Sequence, residues 1–119
     1  MNLGKPIAEG EMSITSITVA ETHSTLSTEG DVGDYGRVFA TYNLFTSDDS
    51  RTSGTFEGSA RALNADGEMI SASLQGIYRR TGGTLELHSL DLATNGDRNF
   101  VTAQIDIVAK TSNVAVYSL

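Results

Sequence analysis

The sequence predicts an all-β fold, a small antiparallel meander of about seven to eight strands that closes into a β-barrel. Between Gly54 and Ile107, long segments rich in β-branched and aromatic residues alternate with three turn sequences. No window shows the i, i+3, i+4, i+7 spacing of apolar residues that is typical of an amphipathic helix. Because a long twisted meander must protect its two edges, we expect closure into a barrel, with an open barrel or sandwich as the alternative.

Composition limits the domain organisation and the partners. The chain has 119 residues, which fits a single domain over 1–119. It contains no cysteine, so disulfides and thiolate metal sites are excluded. A net charge of −7 argues against nucleic acid and anionic membranes as partners, because phosphate binding needs a basic surface. Since no leader sequence and no long apolar run is visible, we expect a cytoplasmic protein.

The first third of the chain predicts a tail, two strands and a loop. Residues 1–10 are polar and irregular and are expected to form a flexible tail or to cover an edge of the sheet. Glu11–Thr22 is β-branched and predicts a strand, and Ser24–Thr28 predicts a short second one. The glycine-rich run GDVGDYG, Gly30–Gly36, predicts a loop, and it lacks the ligand spacing of a calcium loop.

The next strand, Arg37–Thr46, has apolar residues on both faces. Tyr42 and Leu44 lie on one face, and Phe39 and Phe45 on the other. A strand covered on both sides belongs against a tail, a partner or a second subunit. The sequence therefore predicts a homo-oligomer that uses the two phenylalanines.

The run Asn64–Gly67 has the residue order of a type I turn closed by a left-handed glycine, as in a three-residue hairpin with a bulge. That geometry gives one apolar and one polar face. The apolar face pairs Ala62 with Ile70, Ala60 with Ala72, Gly58 with Leu74, Phe56 with Gly76, and Gly54 with Tyr78.

Two further turns follow. Gly82-Gly83 predicts a two-residue hairpin that places Arg79 opposite Glu86 and Tyr78 opposite Leu87. Asn95-Gly96 also predicts a two-residue hairpin, with Leu90 opposite Val101 and Leu92 opposite Asn99. Lys110–Asn113 predicts the last turn, before a final strand over Val114–Leu119.

The strand between these turns changes phase. Leu85 and Leu87 have odd numbers, whereas Leu90 and Leu92 have even ones. This change predicts a β-bulge at His88-Ser89.

Three segments resemble the allene-oxide-cyclase-like β-barrels: GRVFATYNLF, GTFEGSARALNADG and ASLQGIYRRTGG, within Gly36–Asp106. The resemblance lies in long strands punctuated by glycine. It implies a barrel with a central apolar cavity, often dimeric or trimeric, and in the enzymes of the group the cyclisation or isomerisation of an apolar substrate. No catalytic residue of that group matches a position here, so the catalytic residues stay unassigned.

Four strand residues are candidates for ligand binding: Tyr42, Tyr78, Ser89 and Asp91. The tyrosine hydroxyls need partners at the barrel rim or in a cavity. The register of the second hairpin places Asp91 inward, opposite Leu74, whereas the bulge turns it outward, and the change of phase favours the outward position. An inward Asp91 would need an arginine, a tyrosine or a ligand as its partner.

The two histidines, His23 and His88, do not indicate a metal site, since zinc usually takes three or four ligands. No spacing of a nucleophile, a base and an orienting group indicates a catalytic triad. His88 has one functional indication, its place at the predicted bulge, where side chains are redirected. We therefore expect neither a metal nor a cofactor.

Small residues such as Ala60, Ala72 and Gly76 on the inner face permit two interpretations. They leave room for a ligand, on the order of 300 Å³, or they let the sheet bend around large side chains. Two functions remain open accordingly. The first is binding of an apolar small molecule in the barrel, with cofactor-free isomerase or cyclase activity as its extension. The second is a non-catalytic structural, homo-oligomeric assembly protein. The thin inner wall favours the first.

Overall fold

The computed structural model of the protein describes residues 3–119 and confirms the predicted barrel. Eight antiparallel strands pair in sequence order, and the last closes on the first. Within this described range, no helix has the length and apolar character needed to cross a bilayer. The strands are β1 Ala8–Val19, β2 Ser24–Val32, β3 Arg37–Thr46, β4 Ser53–Leu63, β5 Met69–Thr81, β6 Thr84–Ala93, β7 Arg98–Asp106 and β8 Thr111–Ser118, and a 3₁₀ turn, Gly33–Tyr35, joins β2 to β3.

The N-terminal boundaries differ from the prediction. Ala8 already pairs with Val116, so residues 8–10 belong to β1 and the tail predicted for residues 1–10 is too long; Met1 and Asn2 lie outside the described residues. β2 continues to Val32 through a segment predicted as loop. Its residue Gly30 pairs with Met12, and the backbone of β1 lies too close there for any side chain at position 30. The glycine thus marks a close approach of two strands.

Two of the three predicted hairpins have the predicted register. Gly67 adopts φ 80° and donates its N–H to the Asn64 carbonyl, and Ala60 pairs with Ala72, as do the other predicted residues of that face. At the second hairpin, Gly82 has φ 59°, and Arg79 pairs with Glu86. Turn chemistry alone therefore predicted the register of β4, β5 and β6.

The third hairpin and the bulge were predicted wrongly. The loop contains three residues, 94–96, because the Ala93 N–H bonds to the Asp97 carbonyl. Gly96, at φ 94°, donates its N–H to the Ala93 carbonyl. Leu90 consequently pairs with Phe100, and Leu92 with Arg98. The pairing of β6 runs without a bulge through His88-Ser89, and Leu90 and Leu92 lie on the outer surface, 51% and 57% exposed. The apparent change of phase arises because Leu90 and Leu92 are apolar residues on the solvent-facing side of β6.

The last turn lies earlier than predicted. It covers residues 107–110, and Lys110 adopts φ 61°. Asp106 accepts hydrogen bonds from the N–H groups of Val108 and Ala109, which fixes the chain at this corner. β8 therefore begins at Thr111 instead of Val114.

The inner glycines are explained by the close approach of neighbouring strands. A Cβ at Gly54, Gly58 or Gly76 would lie 1.8–2.0 Å from a carbonyl oxygen of the neighbouring strand. The ring of Phe56 covers Gly76, with its Cζ 3.0 Å from that Cβ position. Glycine at these positions therefore lets strands approach closely and creates no empty space.

Candidate functional site

One end of the barrel contains an internal cavity of about 90 Å³. This end, called here the 3₁₀ end, carries three connections: residues 33–36, 64–68 and 94–97. The cavity walls are mostly apolar. Five alanines supply much of the wall, from four successive strands: Ala40, Ala60, Ala62, Ala72 and Ala93. The small inner residues thus fall into two groups, because the glycines permit close approach of the strands and the alanines leave space.

The cavity is smaller than the volume expected from the sequence. About 90 Å³ compares with the 300 Å³ or more expected for a ligand pocket. In the other half of the barrel, Leu87 and Ile105 are almost completely buried.

Asp91 lies inside the barrel, so the outward position favoured by the sequence is wrong. It pairs with Leu74 of β5 and with Asn99 of β7, and it lines the cavity. Ser89 lies on the same face and donates a hydrogen bond from Oγ to Oδ1 of Asp91 at 2.5 Å. Burial raises the pKa of the Asp91 carboxyl to about 6, and the hydrogen bond from Ser89 opposes that increase. Among residues 3–119, no lysine, arginine or histidine lines the cavity.

Tyr42 reaches the same cavity from β3. It is 6% exposed, and its ring contacts Phe56 edge to face with 5.6 Å between centroids. The hydroxyl makes no hydrogen bond within residues 3–119, although it lines the cavity. Burial, and then the negative charge of Asp91, raise the pKa of Tyr42. The cavity therefore holds one carboxylate and one phenol with unused hydrogen-bonding capacity.

Tyr35 lines the same cavity and was not predicted from the sequence. It extends from the 3₁₀ turn to the β6–β7 connection, where its hydroxyl donates to Oδ2 of Asp97 at 2.7 Å and accepts from Nδ2 of Asn99 at 2.9 Å. Burial, and then the hydrogen bond to Asp97, raise the pKa of Tyr35. Gly33 and Gly36 flank the turn with φ 49° and 83° and allow the chain to fold back here. The run GDVGDYG indicated a loop, but nothing in it indicated this contact.

Tyr78 lies away from the other three candidates. Its hydroxyl is 3.5 Å from Oγ1 of Thr46, at the opposite end of the barrel, beside a wide polar depression. There Asp48 accepts hydrogen bonds from Ser50 and Thr52, which lower its pKa to about 2. These hydrogen bonds hold together residues 47–52, the connection between β3 and β4. The structure thus brings together Tyr42, Ser89 and Asp91 and separates Tyr78 from them.

Neither histidine contributes to the cavity. His88 stacks on Phe100 on the outer surface, with 5.8 Å between ring centroids, and lies 3.5 Å from Glu86. His23 packs against Phe45. Across residues 3–119, no group of three or more His, Asp or Glu side chains is arranged to hold a metal ion.

Comparison of the chain with models of protein families, with curated proteins and with solved structures finds no match. The resemblance to the allene-oxide-cyclase-like barrels stays a prediction. A lone carboxylate with a pKa of about 6 accepts protons and hydrogen bonds near neutral pH, and a tyrosine hydroxyl donates or accepts one.

Proposed function

We propose that the protein binds a small, mostly apolar molecule carrying one hydrogen-bond donor group in the cavity of the 3₁₀ end. One observation carries this proposal: Asp91 faces an apolar cavity with a carboxylate oxygen, Oδ2, that accepts no hydrogen bond within residues 3–119. Of the three partners expected for an inward Asp91, no arginine of the described range 3–119 lies in the cavity wall, and Tyr42 makes no hydrogen bond to the carboxylate. Asp91 is partly exposed, so its Oδ2 is open to water, and a ligand that donates a hydrogen bond there is the remaining partner of the three.

The cavity volume limits the size of this ligand. A dry apolar cavity of about 150 Å³ holds the roughly six carbon atoms of benzene, so in proportion the 90 Å³ here holds about four non-hydrogen atoms, and one further atom of a ligand extends towards the open end of the cavity. An isomerase or cyclase activity, if present, would use the same two groups: Asp91 would take a proton from the substrate, and Tyr42 would donate to the developing oxyanion. No cofactor enters that scheme.

Titration with 1-butanol, followed by NMR, tests the binding function. The parent protein should bind it saturably, with shifts confined to cavity residues. Ala72→Phe places a phenyl ring in the same space and should abolish binding while the β-sheet circular dichroism signal remains. Ala115→Phe makes the same change on the outer face of β8 and should leave binding intact.

An interior packed to normal density would respond differently. There, Ala72→Phe would overpack the core and destabilise the fold by about 1–3 kcal/mol. Early melting of Ala72→Phe together with no binding by the parent protein would refute the binding function.

The second candidate, a homo-oligomeric assembly protein, is supported by an outer apolar patch. Its core is a cross-strand row of Leu90, Phe100 and Tyr117, with the Phe100 and Tyr117 ring centroids 6.4 Å apart. Ile77 and Leu92 beside this row are more than half exposed. A patch without charge at its centre can pack against the same patch of a second copy.

Phe39 and Phe45, by contrast, are separated along β3 by polar Thr41 and Asn43, so they form no continuous patch. Analytical ultracentrifugation distinguishes the two surfaces. If the chain assembles through the outer patch, Phe100→Glu should yield a smaller species and Phe45→Glu should not. A parent protein that is monomeric at all concentrations would exclude the assembly function.

A further inference from the structure

We infer that the ligand of this cavity is a cation, a small alkylammonium ion whose N–H groups bind Asp91 while its alkyl chain lies against the alanine wall. The inference rests on the proposed binding function and specifies the chemical class of the ligand.

The first reason is that Asp91 has no cationic partner in the part of the chain that the structure describes. β5 presents Leu74, and β7 presents Asn99 and Val101. Tyr42 from β3 and Tyr35 from the 3₁₀ turn are the titratable groups that face the carboxylate in the cavity. β1, β2, β4 and β8 present apolar side chains: Met12, Val32, Ala60, Ala62, Val114 and Val116. A carboxylate in such surroundings is stabilised most by a ligand that carries the missing positive charge.

The second reason is that the polar atoms facing the cavity are mainly acceptors. Asp91 and Asn99 are direct cross-strand neighbours. Asn99 uses its Nδ2 to donate to Tyr35, and its Oδ1 accepts no hydrogen bond within residues 3–119. The Tyr42 hydroxyl oxygen is a third free acceptor, since it makes no hydrogen bond within the same range. An ammonium group offers three donors and no acceptor, which matches this set. An alcohol supplies one donor, and a carbonyl compound supplies none.

The third reason is the charge around the entrance of the cavity, which lies at the 3₁₀ end of the barrel. The three connections at the 3₁₀ end carry four acidic residues and no basic residue: Asp34, Asp66, Glu68 and Asp97. Arg37, at the start of β3, is already paired with Glu29 at 2.9 Å and with Asp31 at 3.3 Å. Arg98, the first residue of β7, lies at the same end and offsets part of this charge, but the four acidic residues outnumber it, so the entrance favours cations over anions. This acidic rim supplements the acceptor set inside the cavity and does not form a site of its own.

The test compares two probes of equal chain length, n-butylammonium chloride and 1-butanol, with the complete chain at pH 7.5 and moderate salt. Ionic hydrogen bonds are stronger than neutral ones, so n-butylammonium should bind about tenfold more tightly than 1-butanol. In Asp91→Asn this preference should disappear, while 1-butanol should still bind. In Asp66→Asn, which removes a charge at the rim only, the preference should remain.

The pH dependence provides a second measurement. Protonation of Asp91 at pH 5 removes the partner charge, so n-butylammonium should bind more weakly than at pH 7.5 and 1-butanol equally well. If 1-butanol binds at least as tightly as n-butylammonium to the parent protein at pH 7.5, the inferred cation is wrong and the binding function stands. If neither probe binds, the binding function itself is wrong. If Asp91→Asn keeps the preference for n-butylammonium, the ion binds outside the cavity and the inference fails.

Discussion

Replacing Asp91 with asparagine should stabilise the folded protein at neutral pH. The pKa of this carboxyl rises from 3.8 to about 6 on folding because the group is buried. A folded-state pKa above the unfolded value means that ionisation costs folding free energy. The cost is absent below about pH 4, grows between pH 4 and 6, and is complete above about pH 7. At about 1.4 kcal/mol for each pKa unit, the cost is roughly 2–3 kcal/mol.

Asparagine has the same shape and no charge, and it can still accept the hydrogen bond from Ser89. With an unfolding entropy of about 2.1 cal/mol/K per residue, Asp91→Asn should raise Tm by about 8–12 °C at pH 8. Below pH 4 the two proteins should melt at nearly the same temperature.

Thermal melts followed by circular dichroism between pH 3.5 and 8 measure this difference. Asp66→Asn is the matched control, because it removes an exposed carboxylate at the same end of the barrel and should shift Tm little at any pH. An unchanged or lower Tm for Asp91→Asn at pH 8 would show that the carboxylate is well solvated or is paired with a cation, and the reasoning about the cavity would fail.

Two further changes test the architecture around the site. Gly67→Val should lower the free energy of unfolding by more than about 1 kcal/mol, because φ 80° is strained for a β-branched residue. An unchanged Tm would contradict the assigned turn. Tyr35→Phe removes the hydroxyl that joins Asp97 to Asn99 and should lower the free energy of unfolding by about 1–2 kcal/mol in urea titrations. In the same variant, amide hydrogen exchange should become faster in residues 33–36. Unchanged exchange would show that the Tyr35 hydroxyl does not hold this turn in place against the β6–β7 connection.

Local turn chemistry explains what the sequence predicted well. Asn64–Gly67 and Gly82-Gly83 each specify one backbone geometry, and a single turn sets the pairing of two whole strands. The bounds of β3 also followed from its sequence, since Arg37–Thr46 is a continuous β-forming run between a glycine-rich loop and a polar turn. Barrel closure followed from the need to protect the edges of a long meander.

The error at Asp91 has a different physical origin. The prediction assumed that Leu90 and Leu92 lie inside because they are apolar, although folded proteins expose many apolar side chains. Both leucines pack on the outer surface beside Phe100, and that arrangement places Asp91 inward. The register of Gly82-Gly83 already indicated the inward position, so turn geometry was the better guide than hydrophobicity here.

The role of Tyr35 could not be predicted from local pattern. Its hydroxyl contacts Asp97 and Asn99, which are more than sixty positions away along the chain. That contact exists because the alternating strands place the β2–β3 and β6–β7 connections at the same end, and closure of the barrel brings them close together. Sequence periodicity gives the face of a strand on which a residue lies, but not which loops meet above it.

The most direct measurement is a methyl NMR titration of protein labelled at its alanine methyl groups, with n-butylammonium chloride added in steps at pH 7.5. Five alanines line the cavity: Ala40, Ala60, Ala62, Ala72 and Ala93. Two other alanines serve as internal controls, because Ala103 is buried in the barrel outside the cavity wall and Ala115 lies on the outer surface. We expect saturable shifts for the five cavity methyl groups and unchanged positions for Ala103 and Ala115. Small, uniform chemical-shift changes of all alanine methyl groups would contradict a ligand site inside the barrel. Saturable changes that are largest at Ala115 would contradict it as well.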